Sequence, residues 1–126
     1  MNIFTGDVTL STPSELQDFK LAGYNRIEGS LRVAGTDENR LNINDLNSLA
    51  NLDSISGDFT LAYTSGLSNL NGLSNLEFIG GSFNLFENQD LTNMNGLNGL
   101  EDIVHSIQFQ ITQDSPQLQV LIILIH

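Results

Sequence analysis

Apolar and polar residues alternate in five short segments that recur along the chain. Four of them read apolar, any residue, glycine, polar, apolar, polar, apolar, and the fifth keeps this pattern with His105 in place of the glycine. In chain order the segments are Phe4–Leu10, Ile27–Val33, Ile55–Leu61, Ile79–Leu85 and Ile103–Phe109. Their first residues are 23, 28, 24 and 24 positions apart. Repetition at such a period is typical of a solenoid, in which each repeat adds one unit to a stack.

The alternation within each segment predicts a β-strand, with one strand in every repeat. In the third segment Phe59 and Leu61 would face the core, while Asp58, Thr60 and Ala62 would face solvent. Strands that recur once per repeat run in the same direction and form a parallel sheet, with neighbours about 4.8 Å apart. The one longer spacing has a local cause, because a polar insertion of about four residues follows Val33 and is typical of a loop.

Leucines at a spacing of three fill the chain between the strands. The runs are Leu46, Leu49, Leu52; Leu67, Leu70, Leu73, Leu76; Leu91, Met94, Leu97, Leu100; and Leu118, Leu121, Leu124. This spacing suits tight 3₁₀-like turns, because side chains three apart then lie above one another. It does not suit a long α-helix, whose apolar stripe alternates spacings of three and four. The sequence therefore predicts leucine-lined turns, the last of which is unfinished.

The first repeat differs from the others and predicts a helix. Thr12 is a suitable N-cap, Pro13 a suitable first helical residue, and Glu15 completes a capping box. Gly23 follows as a stop signal. We expect a helix over about 13–22 that covers the N-terminal end of the core. The whole chain, 1–126, is then one domain, with a cap in 1–26, repeats in 27–109 and an incomplete last repeat in 110–126.

The charge of the chain is strongly negative and unevenly distributed. The chain has four Lys and Arg residues and 15 Asp and Glu residues, which give a net charge of −11. All four cationic residues lie among the first forty. Such a surface repels phosphate, so nucleic acid and anionic membrane surfaces are poor partners. The longest apolar run, Val120–Ile125, has six residues and is too short to insert across a membrane.

Residues that carry catalytic or metal chemistry are scarce. The chain has no cysteine, and its two histidines are His105, at a turn position, and the final residue, His126. No phosphate loop, nucleophile elbow or metal-binding histidine pair is present. The acidic pairs do not follow the ligand pattern of a calcium loop. The sequence therefore predicts a protein that is not an enzyme and holds no metal or cofactor.

Three stretches of the chain resemble the receptor L-domain-like family of leucine-rich solenoids. They are the opening, 6–16, the second strand segment with the residues before it, 23–33, and the repeat 73–97. The similarity is greatest to versions in cell-surface and secreted proteins of Bacteroidetes-type bacteria, and it covers nearly the whole chain. The sequence departs from the family at His105 and over 119–126. The resemblance implies a mainly β, leucine-rich-repeat-like parallel β-solenoid of about five coils with an N-terminal capping helix. It also implies an extracellular or surface setting and a role in recognition or adhesion.

The N-terminus as printed has no signal-peptide pattern, because Met1–Phe4 runs directly into the first repeat. Taken alone, this favours an intracellular protein or a mature form that begins with a new methionine. At the other end, the run 120–125 is expected either to pair with another chain or to fold over the last repeat as a cap.

The outward face of the predicted sheet is the candidate binding surface. Its residues are small and polar, although any solvated sheet face has this character. Phe86 is out of phase with the core, so it is expected beside Tyr63 as an exposed aromatic pair that anchors a protein or stacks on a sugar. The alternative is that both rings fold over the edge and shield a loop. The candidate residues are Arg32, Asp58, Thr60, Tyr63, Ser82, Asn84, Phe86 and Gln108.

Together these features predict a non-catalytic binding or adhesion module that recognises a protein partner through one face of the solenoid. A carbohydrate-binding surface module is one alternative, since aromatic and amide side chains also suit a glycan. A structural spacer within a larger cell-surface protein is the other, because the final repeat breaks off before its next strand.

Overall fold

A computed structural model describes residues 2–92 and Gly96, and the backbone of two later strands, 102–103 and 107–110. This part of the chain is mainly β, with a single α-helix, α1 (Pro13–Ala22), and a short 3₁₀ turn, Asn47–Leu49. The strands are β1 (Ile3–Thr5), β2 (Val8–Leu10), β3 (Arg26–Glu28), β4 (Leu31–Ala34), β5 (Leu41–Asn42), β6 (Ser54–Ile55), β7 (Phe59–Ser65), β8 (Phe78–Ile79), β9 (Phe83–Asn88), β10 (Asp102–Ile103) and β11 (Ile107–Gln110).

The strands form two parallel sheets. The smaller sheet has the order β1-β3-β6-β8-β10, and the larger sheet has the order β2-β4-β7-β9-β11 with β5 paired to β7. Each segment of the sequence pattern therefore contributes one strand to each sheet. The expectation of one strand per repeat was wrong, because the chain turns at the glycine in the middle of the pattern. Gly57, for example, separates β6 from β7.

The glycine is required at this corner by the close approach of neighbouring repeats. The Gly57 N–H donates to the carbonyl oxygen of Gly29 at 2.8 Å, and the Gly81 N–H donates to that of Gly57 at 2.9 Å. A Cβ added at Gly57 would lie 2.9 Å from the Gly29 carbonyl oxygen and would also collide with Ser30 Oγ. His105 takes this position in the fifth repeat and lies outside the described residues.

The core lies between the two sheets and the leucine-lined turns. The described leucines of the spacing-of-three runs are all buried, which confirms that part of the prediction; they are Leu46, Leu49, Leu52, Leu67, Leu70, Leu73, Leu76 and Leu91. Phe59 and Phe83, one repeat apart, stack with ring centroids 4.8 Å apart and an interplanar angle of 6°. The remaining leucines of the runs lie outside the described residues.

The helix occupies the predicted span, Pro13–Ala22. The Glu15 N–H donates to Thr12 Oγ1 at 3.1 Å, and the Glu15 carboxylate accepts from the Ser11 N–H at 2.9 Å, so the predicted capping interaction forms. Gly23 ends the helix in the left-handed conformation, with φ 72°. Leu16 and Phe19 are buried against the core, which places α1 over its N-terminal end.

Candidate binding surface

The outward row of the larger sheet brings together three of the predicted residues. Arg32 pairs with Thr60, and Thr60 pairs with Asn84, on adjacent parallel strands. Arg32 is exposed, and Thr60 and Asn84 are half-buried. The Asn84 amide lies 3.4 Å from Thr60 Oγ1, so the row is connected along the sheet. The backbone of Gln108 pairs with that of Asn84, but the Gln108 side chain lies outside the described part of the chain.

Asp58 and Ser82 lie at the corner between the two sheets, where side chains hold one repeat to the next. Asp7 Oδ1 accepts from the Ser30 N–H at 2.9 Å. Ser30 Oγ accepts from the Asp58 N–H at 3.0 Å, and Asp58 Oδ1 accepts from the Ser82 N–H at 2.8 Å. The Asp58 side chain therefore fixes the register of neighbouring repeats, a structural task that the sequence pattern did not reveal.

Ala34 and Ala62 do not join the outward face, contrary to the alternation pattern. They pair with each other and Ala62 pairs with Phe86, so the three residues form one row of the larger sheet. Both alanines are buried, at 2% and 0% exposure. A methyl side chain is easily covered by larger neighbours, so Ala34 and Ala62 add no exposed side chain to the outward face at this end of the sheet.

A backbone irregularity follows this row in two consecutive repeats. Tyr63 and Glu87 adopt left-handed conformations, with φ 52° and 56°. For residues with a Cβ such a conformation costs about 1–2 kcal/mol each. Their neighbours show that the positions correspond, because Ala62 pairs with Phe86 on one side and Thr64 with Asn88 on the other. Along a regular strand, side chains point alternately into the core and outward. After Tyr63 and Glu87 this alternation is displaced by one residue.

That shift turns Thr64 and Asn88 into the core, where they satisfy each other. Both residues are buried. The Thr64 hydroxyl donates to Asn88 Oδ1 at 2.8 Å, and Asn88 Nδ2 donates to the carbonyl oxygen of Leu61 at 2.9 Å. Buried polar atoms are costly when they lack partners, so these hydrogen bonds hold both side chains in the core directly after the irregularity.

The polar insertion lies at the same position one repeat earlier. Ala34 pairs with Ala62 and Leu41 pairs with Thr64, so the six residues 35–40 stand opposite the single residue Tyr63. The loop is closed by a hydrogen bond from the Thr36 N–H to the Asn39 carbonyl oxygen at 3.0 Å. The loop ends at Arg40, whose side chain is thereby placed over β7 and β9.

Arg40 connects the loop to the two irregular residues. Its Nη1 donates to the Glu87 carbonyl oxygen at 2.6 Å, and its Nη2 lies 2.9 Å from Glu87 Oε2. The guanidinium carbon lies 5.8 Å from the centre of the Tyr63 ring, within the range of a cation–π contact. The side chains of Arg40 and Glu87 are only 20% and 26% exposed, so solvent screens this pair less than a fully exposed one.

Tyr63 and Phe86 pack against each other edge to face. Their ring centroids are 5.5 Å apart at an interplanar angle of 84°, and both residues are half-buried. The aromatic pair expected from the sequence therefore forms, but its rings are partly covered rather than fully exposed. Arg40, Tyr63, Phe86 and Glu87 together are called the Arg40 cluster below.

Sequence reasoning missed Arg40 and Glu87 as members of this surface. A signal for them was present, because aligning the strand segments sets the insertion 35–40 beside Tyr63 and Glu87. That alignment indicates an interruption of the strand at one position in three successive repeats. It does not reveal that Arg40 reaches across two strands.

Within the described residues, no three or more Asp, Glu or His side chains are grouped so that they could hold a metal ion. No helix in that part of the chain is long and apolar enough to cross a membrane.

The geometry is that of a repeat protein with two parallel sheets and a polar and aromatic outer face. The family model described as Receptor L domain matches residues 25–121. Since the match covers most of the chain, the protein belongs to the receptor L domain family. Such domains bind ligands and occur in the extracellular parts of receptors. Comparison with the curated proteins and with the solved structures gives no significant match.

Proposed function

We propose that the protein is a non-catalytic binding or adhesion module that recognises a protein partner through the outward face of the larger sheet. The observation that carries the proposal is the outward row of Arg32, Thr60 and Asn84, with Tyr63 and Phe86 of the Arg40 cluster further along the same strands as Thr60 and Asn84. Membership in a family of ligand-binding domains supports a binding role.

Several residues of this surface are held in place by contacts within the protein itself. The outward row lies on paired parallel strands, and the Arg40 side chain is held by contacts to both Glu87 and Tyr63. Side chains that are already ordered lose less conformational entropy on binding. Arginine and tyrosine are also among the residues that contribute most to protein–protein affinity. This combination suits a protein partner.

A carbohydrate ligand is the second candidate, since the half-buried Phe86 lies near the Asn84 amide on the same strand. Stacking on a sugar ring requires an open aromatic face. Tyr63 is already in contact with the Arg40 guanidinium and with the Phe86 ring, which leaves less of its own ring for a sugar. We therefore favour the protein partner. Specific binding to neutral glycans on an array would reverse this preference.

We further propose the wider architecture and setting. The strand order supports a solenoid of about five coils forming one domain over 1–126, with the cap in 1–26, the repeats in 27–109 and an incomplete last repeat in 110–126. The setting would be a cell-surface or secreted protein of a Bacteroidetes-type bacterium, with self-association through 120–125 as a separate proposal. Sequencing the DNA that flanks the gene tests the proposed cell-surface or secreted setting, because a signal peptide is expected upstream. Extensive further repeats downstream would favour the spacer instead.

Site-specific photo-cross-linking tests the binding face. A photoreactive amino acid at Asn84 should form a covalent adduct with a discrete protein from the host's surface fraction. The same group at Ser74, an exposed residue in a leucine-lined turn, serves as the control. Equal adducts from both positions, or none from Asn84, would contradict the proposal.

A further inference from the structure

A depression of about 590 Å³ lies on the outer side of the smaller sheet, away from the surface proposed above. Three of its lining residues occupy one row on adjacent parallel strands, because Arg26 pairs with Ser54 and Ser54 with Phe78. This depression is called the small-sheet groove, and the residues that matter for its chemistry are Arg26, Glu28, Asp53, Ser54, Glu77 and Phe78.

The groove contains an exposed aromatic side chain. Phe78 is 36% exposed, whereas Ile79, the next residue of the same strand, is fully buried. Most large apolar residues of the described chain are in the core, and the exposed ones outside this groove are Ile3 and Leu21. The exposure of Phe78 leaves an apolar surface among polar neighbours, which is a feature of sites that bind another molecule.

The charges around Phe78 are mostly negative, and no Lys or Arg in the described part of the chain forms an ion pair with them. Asp53 and Glu77 occupy the same position in consecutive repeats, where the Glu77 N–H donates to the Asp53 carbonyl oxygen at 2.9 Å. Each residue directly precedes a strand of the smaller sheet, and like charges in neighbouring repeats repel each other. In the described part of the chain, ion pairs are formed by Arg40 alone, with Glu87 and Asp37. Neither Asp53 nor Glu77 is therefore neutralised by a Lys or Arg there.

The one cation of the groove is held to the sheet. Arg26 Nε donates to Ser54 Oγ at 2.9 Å. With the carboxylates of Glu28, Asp53 and Glu77, the lining carries an excess of two negative charges over its single guanidinium. An incoming cation would relieve the repulsion between the carboxylates and lie near the Phe78 ring, which attracts cations through its π face. The charge complementarity therefore favours a basic ligand with an apolar portion.

We propose that the small-sheet groove binds an extended segment of a partner protein that carries Lys or Arg two positions from an apolar side chain. From Arg26 to Phe78 the groove crosses two strand spacings, roughly 10 Å, the length of about three residues of extended peptide. In an extended segment the side chains of residues two apart point to the same side, so a basic residue and an apolar residue separated by one position both face the groove over this distance. This interface is independent of the outward face of the larger sheet.

The test uses the full chain and a defined probe, an acetylated and amidated peptide of repeated Lys-Ser-Leu-Ser, in which lysine and leucine lie on the same side of the extended chain. Binding is followed by amide chemical shifts, which should change at Arg26, Ser54 and Phe78. The double variant D53N/E77Q should weaken binding about 3- to 10-fold. The matched control D18N/E38Q removes the same number of exposed carboxylates elsewhere and should change it less than about twofold, since distant charges are screened.

A second pair of variants tests the aromatic contact. F78A should weaken binding about threefold, whereas L21A, which removes an exposed apolar side chain from the helix, should leave it unchanged. Equal losses in the two carboxylate variants would overturn the proposal, as would equal binding of a peptide with glutamate in place of lysine. Shifts at the groove that depend on protein concentration without peptide would show a second copy as the occupant and would also overturn it. N84R, on the larger sheet, should bind the probe normally, so the two proposals fail separately.

Discussion

Arg40 and Glu87 are 47 positions apart in the sequence, yet Arg40 Nη2 lies 2.9 Å from Glu87 Oε2 and Nη1 lies 2.6 Å from the Glu87 carbonyl oxygen. The contact joins the loop 35–40 to the strand two neighbours away. Arg40 therefore binds both the side chain and the backbone of Glu87, which is one of the two left-handed residues. Arg40 thereby links the inserted loop to the aromatic pair and holds both in one arrangement.

Replacing Arg40 with alanine should lower the free energy of unfolding by about 1–2 kcal/mol, because a partly buried ion pair and a charge-assisted hydrogen bond to a carbonyl are lost together. R40K should recover less than half of this loss, since an ammonium group cannot form both contacts in the same planar arrangement. Urea unfolding measures both variants. A loss below about 0.3 kcal/mol for R40A, within the range of neutral surface changes, would show that the contact does not stabilise the fold.

The buried contact between Thr64 and Asn88 gives a second prediction. T64V keeps the shape of the side chain but removes its hydroxyl, leaving the Asn88 oxygen without that donor in the core. The free energy of unfolding should fall by about 1–3 kcal/mol. T60V, on the same strand but in the half-buried outward row, should change it by less than about 0.5 kcal/mol. Equal effects of the two substitutions would contradict the inward placement of Thr64.

The corner between the sheets gives a third prediction. G57A introduces a Cβ 2.9 Å from the Gly29 carbonyl oxygen and against Ser30 Oγ, so neighbouring repeats must move apart. Unfolding should become easier by about 2 kcal/mol or more. S56A, at the preceding exposed residue, is the control and should be nearly neutral. Thermal unfolding of the two variants in parallel tests this, and unchanged stability of G57A would rule out the close approach at the corner.

The leucine-lined turns give a fourth prediction. Leu70 is fully buried, so L70A should cost about 2–5 kcal/mol through lost contacts and a residual cavity. Leu21 is 75% exposed, and L21A should cost less than about 0.5 kcal/mol. Denaturant unfolding distinguishes them, and similar costs would mean that the spacing of three does not mark the core.

Local patterns predicted the local elements well. Thr12, Pro13, Glu15 and Gly23 act within one helix, so the sequence was sufficient to place its ends. The leucine spacing was likewise predictive in the described repeats, because burial at every third position is required for each turn to pack on the next. The pattern could not show that each strand segment is divided between two sheets, since that depends on how closely the backbones approach at Gly57.

The site was predicted less completely, because its residues meet through stacking rather than through adjacency in the sequence. The row of Arg32, Thr60 and Asn84 follows from alternation. The Arg40 cluster does not, since left-handed residues at Tyr63 and Glu87 break that alternation. The small-sheet groove was also missed, although the position before the first isoleucine of each repeat, occupied by Arg26, Ser54 and Phe78, marks its row.

The affinity of the cross-linked partner for variants of the outward face tests the central claim most directly. N84R places a long charged side chain in the middle of the row and should weaken binding at least about tenfold, because it obstructs close packing of a partner. S74R, with the same added side chain in an exposed turn, should bind like the unaltered protein. If the two variants bind equally well while both remain folded, the outward face of the larger sheet is not the binding surface.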